Sequence, residues 1–272
     1  MKYKYYDFSD NRSEVEAKKI FEQRIKDATH IYEKYSENFK RRNCPVCDSS
    51  KCESIDKFHD MYGIDKCNHC SSVFVNPVPN INALSDYYEN CLCNRQLSNV
   101  IRKRYDNDDF INDDRLVYIT DIINDIKHKK VIKILEIGCN NGAFLSKLRQ
   151  CCEQSFPQIL FELSGVDIDK AAVSNSVDSK LNLFYGLAEN ISKERQNEYD
   201  IVVHFELVEH LINPKDFVKS IYDMLIDGGK MMFTTPNING FDNQAIGYND
   251  TRYLAHAIFP PMHLNAFSTT NI

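Results

Sequence analysis

From Val131 onward, short apolar runs alternate with amphipathic segments, and this alternation restricts the fold more than any other feature of the chain. Five strands are predicted, at residues 131–137, 163–168, 181–185, 200–205 and 230–235. Helical segments separate them, as in βαβ units with right-handed crossovers. The sequence therefore predicts an α/β fold with a doubly wound, Rossmann-like parallel sheet in the order 3-2-1-4-5.

Two pairs of closely spaced cysteines precede this region. Cys44 and Cys47 form one CxxC pair, and Cys67 and Cys70 form a second pair after 19 intervening residues. Each pair can place two thiolates on one ion, and two pairs complete a tetrahedral zinc site that leaves no position for water or substrate. A redox pair is the alternative, which two such pairs at this spacing disfavour. We therefore predict a structural zinc ion in a small ribbon.

These patterns divide the chain into four parts. We predict an N-terminal helical segment (1–43), the zinc-binding module (44–80), a helical linker or lid (81–130) and a cofactor-binding domain (131–272). Apolar residues at three- and four-residue steps predict one helix over residues 13–40, with Ser13 and Glu16 spaced as a capping box. A further helix is predicted from about Asn112 to His128, with an apolar stripe that includes Leu116 and Ile119.

Charge and cysteine content limit the kinds of partner and the cellular compartment that we expect for the protein. Residues 43–272 hold 22 Lys/Arg against 31 Asp/Glu, which is a net charge of −9 and disfavours nucleic-acid binding. The basic run from Lys40 to Arg42 is expected to be solvated surface. No run of about 18 apolar residues is present, so no membrane span is predicted. Ten cysteines without a signal-peptide pattern indicate a reducing compartment, so we expect a cytoplasmic protein.

The turn after the first predicted strand carries small residues that would let the backbone approach a ligand closely. It contains Gly138 and Gly142, but Asn140 stands where the dinucleotide pattern G-x-G-x-x-G requires its second glycine. The carboxylate of Glu136 suits a cationic ligand better than a pyrophosphate. Asp167 ends the second strand, where it can accept hydrogen bonds from ribose hydroxyls.

Taken in order, these motifs resemble those of the class I S-adenosylmethionine-dependent methyltransferases. The matching segments are residues 135–142, 186–189, 205–211, 226–230 and 234–237. The cysteine module, followed by residues 74–77, resembles the subset that acts on sugars and related small molecules, and ubiquinone-type O-methyltransferases are also similar. The resemblance covers residues 44–272. The chain departs from the family at Asn140, where the family has glycine; because asparagine tolerates a left-handed φ, we expect the loop geometry to persist.

The resemblance implies S-adenosylmethionine as the cofactor. Its candidate binding residues are Glu136, Gly138, Cys139, Asn140, Gly142, Asp167, Ile168, Ala188, Glu189, His204 and Phe205. Glu136 is expected at the methionine amino group, Asp167 at the ribose, and His204 and Phe205 as walls around the methionine part. Cys139 is expected to fill the loop with only its backbone near the cofactor. Asp169 is expected to cap the following helix.

Methyl transfer to a hydroxyl needs alignment of the two reactants and a base for the departing proton. His210 and His263 are the candidate bases, and Glu209 and Glu206 are the alternatives. We expect a small-molecule or glycan acceptor, with transfer to a hydroxyl of a sugar, nucleotide-sugar or glycan. An RNA base methyltransferase with a zinc module and a non-catalytic binding protein of the same fold are the alternatives.

The family's sheet usually finishes with a hairpin of two further strands. This chain ends at Ile272, where that hairpin would begin. Either the chain is a fragment or its sheet is shortened; without the hairpin, the fifth strand is expected at the edge of the sheet unless another segment covers it.

Overall fold

The computed structural model describes residues 14–93, 110–240 and 257–272. Helix α1, Glu14–Tyr35, is followed by a short 3-10 turn, Ser36–Asn38, so the α-helix ends earlier than the sequence predicted. Ser13 of the predicted capping box lies outside the described residues. In the part of the chain that the structure describes, no helix has the length and apolar character needed to span a membrane.

The cysteine-rich segment forms a small antiparallel sheet. Its first three strands are β1 (Cys52–Phe58), β2 (Tyr62–Cys67) and β3 (Val73–Val75). The fourth strand, β9 (Asn265–Ala266), comes from the end of the chain and pairs antiparallel with β3. The C-terminal segment, predicted within the 131–272 domain, therefore contributes a strand to the sheet of the cysteine module.

The second sheet has five parallel strands in the order β6-β5-β4-β7-β8, which confirms the predicted order 3-2-1-4-5. Its strands are β4 (Val131–Ile137), β5 (Leu160–Asp167), β6 (Asn182–Tyr185), β7 (Tyr199–Phe205) and β8 (Leu225–Thr234). The α-helices after α1 are α2 (Ile81–Asn90), α3 (Phe110–Ile126), α4 (Ala143–Ser155), α5 (Lys170–Ser174), α6 (Ala188–Glu194) and α7 (Pro214–Met224). Among the described residues, none extends this sheet beyond β8.

Helices cover both faces of the parallel sheet. Neighbouring residues of a strand point to opposite faces, so Ile134 and Leu135 of β4 belong to different apolar clusters. Ile134 packs with residues of α3 and α4, and Leu135 packs with Phe217 and Ile221 of α7. This double coverage is what an all-parallel sheet requires, because both of its faces are apolar.

The basic run before the cysteine module is only partly solvated. Lys40 and Arg41 are exposed, as predicted, but Arg42 is part-buried and its guanidinium lies 5.4 Å from the centre of the Phe74 ring. Burial lowers the pKa of Arg42 to about 10, with the Cys44 thiol acting in the opposite direction. The prediction of a solvated surface is therefore wrong for Arg42, because carbonyl acceptors from distant segments converge on its side chain.

Candidate functional site

The turn between β4 and α4 holds three residues with a left-handed backbone. Gly138 has φ +79°, Asn140 has φ +49° and Gly142 has φ +82°. Asn140 thus adopts the conformation that the family's glycine would adopt, and its own Oδ1 accepts a hydrogen bond from the Asn141 N–H at 2.9 Å. Asparagine therefore adopts the left-handed φ that was expected of it at this position.

Asp167 lies beside this turn at the end of β5. Its Oδ2 accepts from the Asn140 N–H at 2.7 Å, and its Oδ1 accepts from the Asp169 N–H at 2.8 Å. Each carboxylate oxygen can accept more than one hydrogen bond, so the half-buried carboxylate keeps acceptor capacity for a ligand. Asp169 accepts from the N–H groups of Ala171 and Ala172, which confirms its predicted role as the cap of α5.

Glu136 is a buried carboxyl group at the end of β4. Its side chain is 5% exposed, and its Oε2 has no hydrogen-bond partner among the described residues. Burial raises the pKa of Glu136 to about 8; the nearby Arg115 acts to lower the pKa and Asp167 acts to raise it. A buried acceptor without a partner is costly, so its presence at this edge of the sheet indicates a place for a donor from a ligand.

Arg115 of α3 is a site residue that the sequence reasoning missed. It is 9% exposed, and its guanidinium lies 4.0 Å from the centre of the Phe205 ring. Nη1 donates to Asn112 Oδ1 at 3.1 Å, whereas Nε has no partner among the described residues. In the sequence, Arg115 lies next to Leu116 on the apolar stripe of the predicted helix. This position could have identified it, because an arginine on a buried helix face normally has a partner.

Cys139 and Gly165 pack against each other beneath the turn. A Cβ atom at Gly165 would lie only 2.6 Å from the Cys139 sulfur, so the cysteine side chain occupies the space that the glycine leaves. Cys139 is buried, which matches its predicted role as a filler of the loop.

A pocket of about 680 Å³ opens beside the ends of β5 and β6. Its lining includes Ile168 and Leu187, both exposed. The predicted residues Ala188 and Glu189 are not among those that line it: Ala188 is buried in the core, and Glu189 lies in the first turn of α6. The structure therefore places Ile168 at this pocket, whereas Ala188 and Glu189 do not line it.

His204 and Phe205 point to opposite faces of the sheet. The His204 ring stacks on Phe233 at 4.9 Å and meets Phe217 edge-on at 5.1 Å, and it is 1% exposed. Burial lowers the pKa of His204 to about 3, so the imidazole is neutral. Phe205 instead lies beneath Arg115 and meets Phe144 edge-on. Both side chains were predicted to form walls around the methionine part of the cofactor. Phe205 lies on the face of the sheet that Arg115 covers, and His204 lies on the other face.

The segment after β7 brings Glu209 and His210 to the carboxyl edge of the sheet. Glu209 is 1% exposed, and burial raises its pKa to about 8. Its Oε2 accepts from the Thr235 hydroxyl at 2.9 Å, and its Oε1 lies 3.7 Å from His210 Nε2. Glu206, the remaining alternative, is exposed and has φ +50°.

The Nδ1 nitrogen of His210 has two hydrogen-bonding neighbours, and the Glu206 backbone also acts on the imidazole. Nδ1 lies 2.8 Å from the Met262 carbonyl oxygen and 3.2 Å from the Tyr88 hydroxyl. Because a carbonyl can only accept, Nδ1 carries the proton and Nε2 is the basic nitrogen. Burial lowers the pKa of His210, so the neutral form predominates at pH 7. No sequence pattern pointed to Tyr88, which reaches the site from α2.

His263 completes a cluster with Glu209 and His210. Its ring lies 4.8 Å from the His210 ring at an angle of 77°, and its Nδ1 has no hydrogen-bond partner within the described residues. Burial and the neighbouring His210 lower the pKa of His263. One ligand atom each from Glu209, His210 and His263 lies within 4.8 Å of the others, a donor set of the type that also binds divalent metals.

The end of the chain matches a known family. A family model described as a methyltransferase domain matches residues 111–272. The chain belongs to this methyltransferase family. Together with the order of the parallel sheet, the match confirms the predicted class I S-adenosylmethionine-dependent methyltransferase.

Curated relatives of the methyltransferase are about a quarter identical to it. The ubiquinone biosynthesis O-methyltransferase of Pseudomonas fluorescens (strain Pf0-1) is 26% identical over 113 residues, which cover 39% of this chain and 45% of that protein. The Proteus mirabilis (strain HI4320) protein of the same description is 28% identical over 135 residues, covering 47% and 51%. The chain therefore spans about half the length of the curated relatives that it matches.

Solved structures of methyltransferases are also similar. The plantazolicin methyltransferase BpumL, in complex with a pentazolic desmethylPZN analog and SAH, has a TM-score of 0.46 at 18% identity, covering 57% of this chain and 58% of that chain. A SAM-dependent methyltransferase from Archaeoglobus fulgidus has a TM-score of 0.40 at 19% identity, covering 58% and 63%.

The cysteine module of the methyltransferase precedes the matched residues. The sulfur atoms of Cys44 and Cys70 lie 3.5 Å apart, and those of Cys47 and Cys67 lie 3.6 Å apart. Zinc–sulfur bonds of about 2.3 Å in a tetrahedron place the sulfur atoms about 3.8 Å apart, so the four thiols fit one zinc ion. Cys52 is not part of this group, and its thiol donates to the Ser49 carbonyl at 3.4 Å.

Proposed function

We propose that the methyltransferase transfers the methyl group of S-adenosylmethionine to a hydroxyl of a small-molecule acceptor of the sugar, nucleotide-sugar or glycan class. The observation that carries the proposal is the position of a neutral histidine, His210, at the same sheet edge as the unpartnered carboxyl group of Glu136. The O-methyltransferase description of the curated relatives supports oxygen as the acceptor atom. The sugar-type acceptor rests on the cysteine module and the motifs that follow it.

In this proposal, the residues around the turn after β4 hold the cofactor. Glu136 accepts from the methionine amino group, and the free Nε of Arg115 faces the methionine carboxylate. Asp167 accepts from the ribose hydroxyls, and Ile168 contacts the adenine beside the pocket at the ends of β5 and β6. The cofactor supplies a methyl group on a sulfonium and leaves as a neutral thioether. Arg115 and the ionised form of Glu136 suit the two ionic groups of an amino acid.

His210 is proposed as the general base. Its Nε2 takes the proton from the acceptor hydroxyl as the oxygen–carbon bond forms, and Nδ1–H stays bound to the Met262 carbonyl. Glu209 lies 3.7 Å from Nε2, and its ionised form would stabilise the imidazolium that results. His263 is the second candidate, because its ring adjoins that of His210 in the same cluster.

The alternatives have less support. An RNA base methyltransferase would need a basic surface, whereas residues 43–272 carry a net charge of −9. A non-catalytic protein was suggested by Asn140, but this residue keeps the left-handed backbone that the loop needs. We further propose that Cys44, Cys47, Cys67 and Cys70 hold a zinc ion that stabilises the module, because four thiolates leave no open position for a substrate.

Two measurements test the proposed function. Titration calorimetry with S-adenosylmethionine should detect binding to the wild-type protein, and the variant Glu136→Gln should bind more weakly. A screen of hydroxylated sugars, nucleotide-sugars and phenols should then detect release of S-adenosylhomocysteine with one acceptor class. Absence of cofactor binding would contradict the proposal as a whole. Turnover with a phenol but with no sugar would contradict only the acceptor class.

A further inference from the structure

Arg42 lies where three distant parts of the chain meet. One nitrogen of its guanidinium, Nη1, donates to the Ile212 carbonyl, which follows the Glu209–His210 pair. The other, Nη2, lies within hydrogen-bond distance of Asn265 Oδ1 at 3.0 Å, the Leu264 carbonyl at 3.3 Å and the Val75 carbonyl at 3.4 Å. A planar guanidinium holds five N–H donors in a fixed fork and can serve acceptors on two sides, whereas a lysine has three donors on a single nitrogen.

Asn265 holds the same loop from the other side. It is 1% exposed, and its Nδ2 donates to the Leu211 carbonyl at 2.8 Å and approaches the Glu209 carbonyl at 3.4 Å. The preceding residue, Leu264, donates its N–H to the Glu209 carbonyl at 2.8 Å. Carbonyls of the loop that carries Glu209 and His210 are therefore bound by groups from the segment near the end of the chain.

The loop has little secondary structure of its own. Residues 208–210 form one 3-10 turn, in which the His210 N–H donates to the Leu207 carbonyl at 3.0 Å. Its course toward α7 therefore depends on the contacts that Arg42 and Asn265 make. Because the ring of His210 projects from this loop, displacement of the loop would move Nε2 relative to the substrate.

We infer that Arg42 and Asn265 are positioning residues that hold the loop at residues 208–212 and thereby set the orientation of His210. The inference rests on the proposed function, in which His210 is the base.

The inference also gives the cysteine module a second role. The Arg42 guanidinium lies 5.4 Å from the Phe74 ring, and Phe74 packs in one apolar cluster with Cys44 and Cys67. The module therefore supports the loop through Arg42.

Three variants separate positioning from stability. Arg42→Gln removes the guanidinium and its charge. Arg42→Lys keeps the charge but has fewer N–H donors and lacks their fixed geometry. Asn265→Asp keeps an oxygen that accepts from Arg42 but removes the N–H group that donates to the Leu211 carbonyl. Arg41→Gln is the matched control, since the Arg41 side chain is 75% exposed and lies next to Arg42 in the sequence. The full-length chain is used throughout, with zinc content and thermal unfolding recorded for every variant.

We expect Arg42→Gln and Asn265→Asp to lower kcat by about 10–100-fold, the order expected when a reacting group is misplaced by about 1 Å. Affinity for S-adenosylmethionine should stay at the wild-type value, and Arg42→Lys should recover part of the kcat. The titration curve of the His210 imidazole, followed by NMR and assigned with His210→Gln, should shift in Arg42→Gln but not in Arg41→Gln.

Two results would overturn the inference. One is a wild-type titration curve for His210 in both Arg42→Gln and Asn265→Asp. The other is a loss of cofactor affinity in proportion to the loss of stability, which would indicate a general structural role. If wild-type protein shows no methyl transfer with any acceptor, the proposed function fails, but the NMR titration still decides whether Arg42 and Asn265 orient His210.

Discussion

The backbone nitrogen of Asn140 lies 2.7 Å from Oδ2 of Asp167, and this hydrogen bond joins the turn after β4 to the end of β5. Two neighbouring strands are thereby fixed at their carboxyl ends, where the crevice of a doubly wound sheet binds ligands. The carboxylate is held in place by backbone donors before any ligand arrives. Such preorganisation lowers the entropic cost of binding.

The first prediction concerns the ribose contact. Replacing Asp167 with alanine should weaken S-adenosylmethionine binding by about 1–3 kcal/mol, because ribose hydroxyls and the Asn140 N–H lose their acceptor. Titration calorimetry measures the change. Asp169→Ala is the control, since this residue caps α5 and should affect thermal stability more than affinity. Unchanged affinity in Asp167→Ala would mean that the ribose binds elsewhere.

The parallel sheet could be predicted because its signals are local. Each strand is an apolar run of a few residues that a turn or cap residue ends, and the alternation with helices indicated a parallel doubly wound sheet, of which 3-2-1-4-5 is a standard order. The two-residue strand Asn265–Ala266 could not be predicted, because it is stabilised by pairing with β3 rather than by its own pattern.

The cluster of Glu209, His210 and His263 and the residues around it were predicted only in part, for the same reason. Glu209 and His210 are adjacent in a recognisable motif, but Tyr88 lies 122 residues away from His210 in the sequence. Arg42 was expected to be solvated because a basic run usually is. Its burial depends on carbonyls of Ile212 and Leu264 that the sequence alone does not place beside it.

The second prediction concerns the metal. Protein prepared without chelator should contain one zinc per chain by elemental analysis. Cys67→Ser should lower the zinc content and the unfolding temperature, because binding energy of a structural zinc contributes directly to folding. Cys52→Ser is the matched control, since its sulfur lies outside the four-thiol group. Equal effects of the two changes would contradict the proposed set of ligands.

The third prediction follows from the burial of His204. Its pKa is lowered from the ordinary 6.5 to about 3, so between these values the unfolded chain binds a proton that the native protein does not. The free energy of unfolding should therefore decrease as the pH falls through this window, by about 1.4 kcal/mol per pH unit from this residue. His204→Phe should remove that contribution and raise stability at pH 5 more than at pH 7.5, as measured by urea unfolding.

The same variant tests the predicted role of His204 at the cofactor. A ring that packs only between Phe217 and Phe233 can be replaced by phenylalanine without loss of cofactor affinity. A large loss of affinity in His204→Phe would place the imidazole at the ligand and contradict the core role.

The fourth prediction concerns Glu136. Burial raises its pKa to about 8, so the carboxyl group is largely protonated at pH 7 in the free protein. A cationic amino group binds the ionised form, so binding should release a proton and affinity should weaken as the pH falls below 8, by up to about tenfold per unit. Calorimetry in buffers of different ionisation enthalpy measures the proton release. In Glu136→Gln the release should disappear; its persistence would assign the proton to another group.

The last prediction distinguishes the two candidate bases. His210→Gln should lower kcat by about 10²–10⁴-fold while the affinity for S-adenosylmethionine stays constant, since the amide cannot accept the proton. Because burial lowers the pKa of His210, the acidic limb of the wild-type kcat profile should have its midpoint below pH 6.5. His263→Gln should have the smaller effect, because it leaves the Nδ1–H bond of His210 to Met262 in place.

Tyr88→Phe and Glu209→Gln refine this test. The Met262 carbonyl fixes the tautomer without the Tyr88 hydroxyl, so Tyr88→Phe should reduce kcat less than His210→Gln does. Glu209→Gln keeps the size of the side chain but cannot ionise beside the imidazolium, so it should reduce kcat without abolishing it. If His263→Gln removes turnover and His210→Gln does not, the roles of the two imidazoles are exchanged. If neither change matters, the base is Glu209 or the reaction proceeds by alignment alone.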